Sequence, residues 1–194
     1  MIRLALLRHG PTVWNHEGRL QGRTDIPLHP AAIAELSSVA LPPGWAAADI
    51  VTSPLKRARQ TAELLVGDAA RIEPALVEMN WGQFEGARGR DLRADPGSGF
   101  RDVEDWGWDY SPPGGESVGA LRDRIVPWIS TLQKDTIAVS HIGVMRVILA
   151  LATNWQFEGP APFRIKRKRL YVVHVDGSDL CLVPDPKRLR HSGL

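Results

Sequence analysis

The apolar run Leu4 to Leu7 follows Ile2-Arg3, and the charged pair Arg8-His9 and then Gly10 end it. A short apolar stretch stopped in this way predicts a buried β-strand over Ile2 to Leu7 that carries the pair at its C-terminal end. A second run, Thr136 to Val139 closed by Ser140-His141, predicts a central strand, and Asp49 to Thr52 a shorter one. Arg71 to Met79 reads as a further strand running into a loop. Steps of three and four join Val118, Leu121, Ile125, Trp128, Ile129 and Leu132, the mark of an amphipathic helix from the Gly114-Gly115-Glu116-Ser117 turn to about Lys134, with a kink at Pro127. Other helices are expected over Ala31 to Leu41 behind Pro30, over Leu55 to Val66 with Ser53 as cap and Pro54 in its first turn, over Arg90 to Arg93, and over Gly143 to Thr153. Arg169 to Asp176 and Leu180 to Val183 flank Gly177-Ser178-Asp179 as a terminal hairpin, and Pro186 to Leu194 is expected to fray.

Strands that alternate with helices imply an α/β three-layer sandwich, a mostly parallel central sheet flanked by helices. No repeat or linker interrupts the pattern, so residues 1–194 are read as one domain. Two irregular stretches stand out, Gly10 to His29 and Ala87 to Pro113. Ordered loops of that length are usually functional.

Composition narrows the function. The net charge is +2 with a pI of about 8.9, enough to favour an anionic small molecule and too little to imply nucleic acid. The basic run Arg164, Lys166, Arg167, Lys168 and Arg169 is therefore read as a solvated strand face or a patch that steers anions. One cysteine, Cys181, leaves no internal disulfide and suits a reducing cytoplasm. No apolar stretch approaches the roughly 20 residues that span a bilayer, so no membrane association is expected. A homodimer is left open.

Four segments carry candidate chemistry. Arg8 and His9 lie at the end of the first strand, where open α/β sheets bind ligands, with Asn15 in the loop beyond. Arg57 falls in the first turn of a helix, a position that also favours anions; Arg57 and Arg59 lie on different faces of that helix, so only one of them is expected to point into the site. Glu78 and Glu85 bracket a Trp-Gly-Gln-Phe loop, and His141 ends the second apolar strand. Guanidinium groups are the best donors to phosphate oxygens, an imidazole is a nucleophile free at neutral pH, and a carboxyl beside the anion can protonate a leaving oxygen. The remaining histidines, His16, His29, His174 and His191, lack metal-ligand spacing, and neither a phosphate-binding nor a dinucleotide glycine motif is present, so no metal and no cofactor are expected.

The order Leu6-Leu7-Arg8-His9-Gly10-Pro11-Thr12, Ser53-Pro54-Leu55-Lys56-Arg57, Glu78-Met79-Asn80-Trp81-Gly82-Gln83-Phe84-Glu85-Gly86, Gly114-Gly115-Glu116-Ser117 and Ser140-His141-Ile142-Gly143 resembles the histidine phosphatase (phosphoglycerate mutase-like) superfamily. The resemblance implies that His9 is the phosphorylated nucleophile and Glu78 the general acid/base, with Glu85 the competitor for that role, placed second as a loop-closing residue. It implies phosphate contacts from Arg8, Asn15, Arg57 and His141, and substrate contacts at Gln21 and Gly22. Ile142 departs from the small residue usual there and is expected to narrow the pocket. The short, acidic and aromatic region after the glutamate loop is similar to the phosphatase branch, and the Gly-Gly-Glu-Ser helix start to α-ribazole phosphatases. A metal-independent phosphomonoesterase acting on a small phosphorylated metabolite is therefore expected. The alternatives are a cofactor-dependent phosphoglycerate mutase and a non-catalytic phosphate-binding module of the same fold. Trp106 and Trp108 either cap the pocket or pack beneath their loop, the commoner outcome for any one tryptophan.

Overall fold

Along the first strand, β1 (Ile2–Arg8), Leu4 and Leu6 face one core while Ala5 and Leu7 face another. In the computed structural model, which describes residues 1–191, that period-two alternation places the strand in the middle of the sheet, covered on both sides. Two short helices follow, α1 (Val13–His16) and α2 (Pro30–Leu36), then β2 (Val39–Ala40), β3 (Asp49–Thr52), α3 (Lys56–Val66), β4 (Arg71–Ile72) and α4 (Gly89–Ala94). The long helix α5 (Val118–Ser130) leads to β5 (Thr136–Ser140) and α6 (Ile142–Thr153). The chain closes with β6 (Arg169–Asp176), β7 (Asp179–Leu182), β8 (Lys187–Arg188) and β9 (Arg190–His191). The main sheet has the order β4-β3-β5-β1-β6-β7, with β8 also on β6. The first four strands are parallel, and β6 to β8 pair antiparallel at the other edge. Helices α5 and α6 and the aromatic loop cover one face; α2 and α3 cover the other. The architecture is the expected sandwich. Among the described residues no helix is long and apolar enough to cross a membrane.

Several boundaries move, each for a local reason. The strand expected over Arg71 to Met79 lasts only two residues, because Pro74, which has no N–H to give a neighbour, starts a tight turn over Pro74–Leu76. Helix α2 stops at Leu36, where the Ser37 and Ser38 hydroxyls donate to the Ile33 and Glu35 carbonyls at 2.9 and 2.8 Å. Ser53 does not cap α3. The helix begins three residues later, and the Lys56 N–H instead donates to the Asp25 carboxylate at 2.7 Å. Helix α5 starts at Val118, where the Ser117 side chain accepts from Ala120, and passes through Pro127 without ending.

The C-terminal segment expected to fray is tied down as far as it is described. Lys187–Arg188 pairs with Arg169–Leu170, and Arg190–His191 pairs with Val39–Ala40, which drives Leu189 into the α2/α3 core at 4% exposure. Residues 192–194 lie outside the described part. Leu189→Ala is expected to cost about 2–5 kcal/mol in a urea unfolding titration. Arg190→Ala, whose side chain is exposed, should stay within about 0.5 kcal/mol of the parent.

Candidate active site

Three adjacent parallel strands end at the same edge of the sheet. The register that sets Arg8 opposite Ser140 and Thr52 opposite Val139 places His9, His141 and Ser53 side by side just beyond it. The two imidazoles lie with ring centroids 5.1 Å apart. Both are buried, at 3% and 0% exposure. The His9 Nδ1 sits 2.6 Å from the Gly10 carbonyl. A carbonyl only accepts, so Nδ1 carries the hydrogen and the Nε2 lone pair is left free. Burial, then Arg57, Arg8 and Arg167, hold the His9 pKa well below its usual 6.5, and burial with Arg57 does the same to His141. The His141 Nε2 shares a 2.7 Å hydrogen bond with the Ser53 hydroxyl, the role that serine takes in place of capping.

Arg8 reaches the same point, its pKa drawn down to about 9 by burial first and by Arg167 next, so it stays cationic at neutral pH. Arg57 lies beneath, fully buried in the first turn of α3, and donates from Nη1 and Nη2 to the Thr24 and Gly22 carbonyls at 2.9 and 2.6 Å. Four buried polar atoms in this cluster lack a partner among the described residues: Arg8 Nε, Arg57 Nε, His141 Nδ1 and Gln21 Nε2. Leaving buried donors unmatched costs free energy, which an anion with several acceptor oxygens would recover.

A cavity of about 420 Å³ opens over this cluster, lined by Arg8, His9, Asn15, Gln21 and Glu78 among others. Glu78 is 2% exposed, and its carboxylate accepts from the backbone N–H of Met79 at 2.9 Å and of Gly143 at 3.1 Å. A Cβ on Gly143 would lie 2.3 Å from Glu78 Oε1, so the first turn of α6 can approach the acid only with glycine there. Glu85 does not line the cavity and accepts from the Gly22 and Thr24 N–H groups at 2.9 and 3.0 Å, a clasp between two loops. Gly22, read as a substrate contact, is not on the cavity wall: its N–H serves Glu85 and its carbonyl serves Arg57. Arg57 and His141 form the floor behind the wall rather than the wall itself.

The outer wall is aromatic and mixed in charge. Trp106 stacks on Tyr110 at 5.3 Å and on Phe157 at 5.9 Å, and, though buried, it lines the cavity together with Trp81 and Phe100. Trp108 does not reach the cavity; its Nε1 donates to Gln156 at 2.7 Å. Ile142 forms part of the wall, where its bulk was expected. At the rim, Asp102 pairs with Arg93 at 2.6 Å, and Glu104 stands nearby.

Sequence reading missed three groups that hold this geometry. Arg124 donates to the Ala75 and Val77 carbonyls and to the Glu116 carboxylate, which also accepts from Asn80, so one clamp grips the chain on both sides of Glu78. Arg146, one turn into α6, stands over the Trp106 ring at 5.5 Å and lines the cavity. Arg167, lost in the basic run, reaches the His9 backbone and Asn15. The Glu116-Ser117 pair was visible as a motif. Nothing in the pattern around Arg124 or Arg167 distinguishes them from surface arginines.

Residues 4–183 match the family model of the histidine phosphatase superfamily (branch 1). The adenosylcobalamin/alpha-ribazole phosphatase of Escherichia coli (strain K12) is 29% identical over 176 residues, covering 84% of this chain and 85% of that protein. An acid phosphatase of Mycobacterium tuberculosis is 30% identical over 165 residues, 79% and 75% of the two chains. Among solved structures, a phosphoglycerate mutase from Thermus thermophilus superposes with a TM-score of 0.69 at 31% identity, covering 98% of this chain and 99% of that one. With the family model spanning nearly the whole sequence and the motif residues gathered at one edge of the sheet, the chain belongs to the histidine phosphatase superfamily.

Proposed function

We propose that this protein is a phosphomonoesterase that works through a phosphohistidine at His9. The observation that carries the reading is the His9 Nε2 lone pair, freed by the Nδ1 bond to Gly10, on the wall of a cavity shared with Arg8 and Glu78. In the first step Nε2 attacks phosphorus in line with the ester oxygen. The P–N bond forms, the P–O bond breaks, and Glu78 gives its proton to the departing oxygen. In the second step the Glu78 carboxylate takes a proton from water as the water oxygen attacks phosphorus and the P–N bond breaks. Arg8, with Arg57 and His141 behind it and the Asn15 amide beside it, would stabilise the charge on the transferring oxygens, the largest contribution that preorganised donors make.

Hydrolysis is favoured over mutase chemistry by the relatives named as phosphatases and by the aromatic side chains on the cavity wall; the charged lining, Arg19, Arg93, Arg101 and Arg146 beside Asp102 and Glu104, does not separate the two. The aromatic edges of Trp81, Phe100 and Trp106 suit a leaving group with an apolar ring, and the relative named for α-ribazole makes α-ribazole phosphate the first substrate to assay. A module that only binds phosphate would have no use for a buried carboxyl on the same wall.

The direct test is hydrolysis of p-nitrophenyl phosphate, then of a phosphorylated-metabolite panel that includes α-ribazole phosphate and 3-phosphoglycerate. His9→Ala should abolish both turnover and acid-labile phosphate labelling, and activity surviving that change refutes the assignment. Glu78→Gln should lower kcat on alkyl phosphates about 10²–10⁴-fold. It should spare the labelling step more with nitrophenolate, which leaves without a proton. The paired histidines also set a pH dependence. Their folded pKa values lie below the 6.5 of an ordinary histidine, so the unfolded chain takes up protons first as pH falls. Stability present above pH 6.5 should therefore decline below it, by about 1.4 kcal/mol per pH unit for each histidine until its folded pKa is reached. Inorganic phosphate should raise the thermal midpoint, by about 2.7 kcal/mol of stability at a hundredfold excess over its Kd. Scanning calorimetry from pH 8 to pH 5, with and without phosphate, reads both effects.

A further inference from the structure

Within the basic run before β6, Arg167 alone turns inward to the reaction centre. Its Nε donates to the His9 carbonyl at 3.3 Å and its Nη2 to Asn15 Oδ1 at 2.9 Å. Its neighbours behave differently: Lys166 is exposed, and Lys168 pairs with Glu35 on the surface. Among the described residues Arg167 has no carboxylate partner, so a partly buried cation is held against one backbone carbonyl and one amide oxygen. That is an expensive arrangement for a residue with no task.

The task follows from what else meets Asn15. The Thr12 N–H donates to the same Oδ1 at 3.0 Å, and this loop contact forms half of the capping box that starts α1. A backbone N–H and a guanidinium can only donate, so the side-chain atom between them must be the amide oxygen. The amide NH2 is then directed to the other side. Asn15 lines the cavity there, and among the described residues its Nδ2 donates to no other group. Without Arg167, only the Thr12 N–H at 3.0 Å and the Thr12 hydroxyl at 3.2 Å would hold the oxygen, both from one residue of the same loop, and the amide could turn an acceptor toward the bound anion.

We infer that Arg167 is a positioning residue for phosphoryl transfer, which fixes the Asn15 amide with its NH2 toward the phosphate and braces the His9 backbone. The inference rests on the phosphatase reading for what the cavity holds. Arginine rather than lysine is required, because only a fork spans the His9 carbonyl and the Asn15 oxygen at once.

The test compares Arg167→Met, Arg167→Lys, Asn15→Ala and the double variant Asn15→Ala/Arg167→Met, with Lys166→Ala as the control for losing one charge from the run. Orthophosphate affinity by calorimetry and kcat/KM for p-nitrophenyl phosphate are measured separately. Arg167→Met should weaken both at least tenfold, and Arg167→Lys at least threefold, while Lys166→Ala changes neither by more than twofold. The double variant should lose no more than twice what the worse single variant loses, because both remove one oriented amide. Arg167→Met behaving like Lys166→Ala, or a double variant losing the product of the two single effects, overturns the inference. Should Arg167→Met not fold, Arg167→Lys decides alone, and parental orthophosphate affinity in that variant is fatal. Binding of orthophosphate by the parent without any turnover sinks the phosphatase reading and with it a role in phosphoryl transfer, while the affinity series still decides whether Arg167 orients Asn15 toward a bound phosphate; no orthophosphate binding at all sinks both.

Discussion

The structure is organised around a concentration of positive charge withdrawn from water. Arg8, Arg57 and Arg167 converge on His9 with too few carboxylates to match them, and burial lowers the pKa of every one. Such a cluster tends to push itself apart and to seek solvent. It persists because backbone carbonyls accept from the guanidinium groups: Gly22 and Thr24 from Arg57, and His9 from Arg167. The loop from Gly10 to His29 is long because it must bend back across the sheet edge to present those carbonyls. The Glu85 clasp on Gly22 and Thr24, the Asp25 cap on α3 and the bond from Leu28 N–H to Gln60 fasten it along its length.

The same constraint explains why the site is poised for an anion rather than for a neutral ligand. Unpartnered Nε atoms on Arg8 and Arg57 and an unpartnered Nδ1 on His141 are all donors or donor-capable, and all belong to side chains on or just behind the cavity wall. The acid reaches that wall on a separate support. Glu78 hangs between the Arg124–Glu116 clamp on one side and the N–H groups of Met79 and Gly143 on the other. Cationic cradle and carboxyl thus sit on different segments, Arg8 on β1 and Arg57 on α3 but Glu78 on the loop after β4, so the acid can stand beside the arginines without collapsing into an ion pair that would fill the cavity.

The aromatic loop has two parts with different tasks. Trp106, Tyr110 and Phe157 form a stack that completes the core over α5 and α6, while one edge of Trp106 reaches the cavity. Trp108 stays outside, held by Gln156 and covered by Arg122. Packing beneath the loop and shaping the pocket are therefore shared within a single segment.

The sequence by itself determined the strands β1 and β5, because an unbroken apolar run closed by a charged or polar pair has few other solutions in a chain of this length. It determined the α/β layering through the alternation of two-residue and 3.6-residue periods, and it picked out Arg8, His9, Glu78 and His141 because their flanking motifs are local. The tertiary structure alone decided the rest. Gly22, read as a substrate contact, lies between Glu85 and Arg57; Ser53 looked like a helix cap and proved to bond His141; residues 187–191 looked loose and proved to pair with β2 and β6. Arg167 was one of five basic residues in a row. Periodicity and motifs report what a residue does to its neighbours along the chain, whereas a carbonyl 158 positions away from its donor is brought near only when the sheet closes.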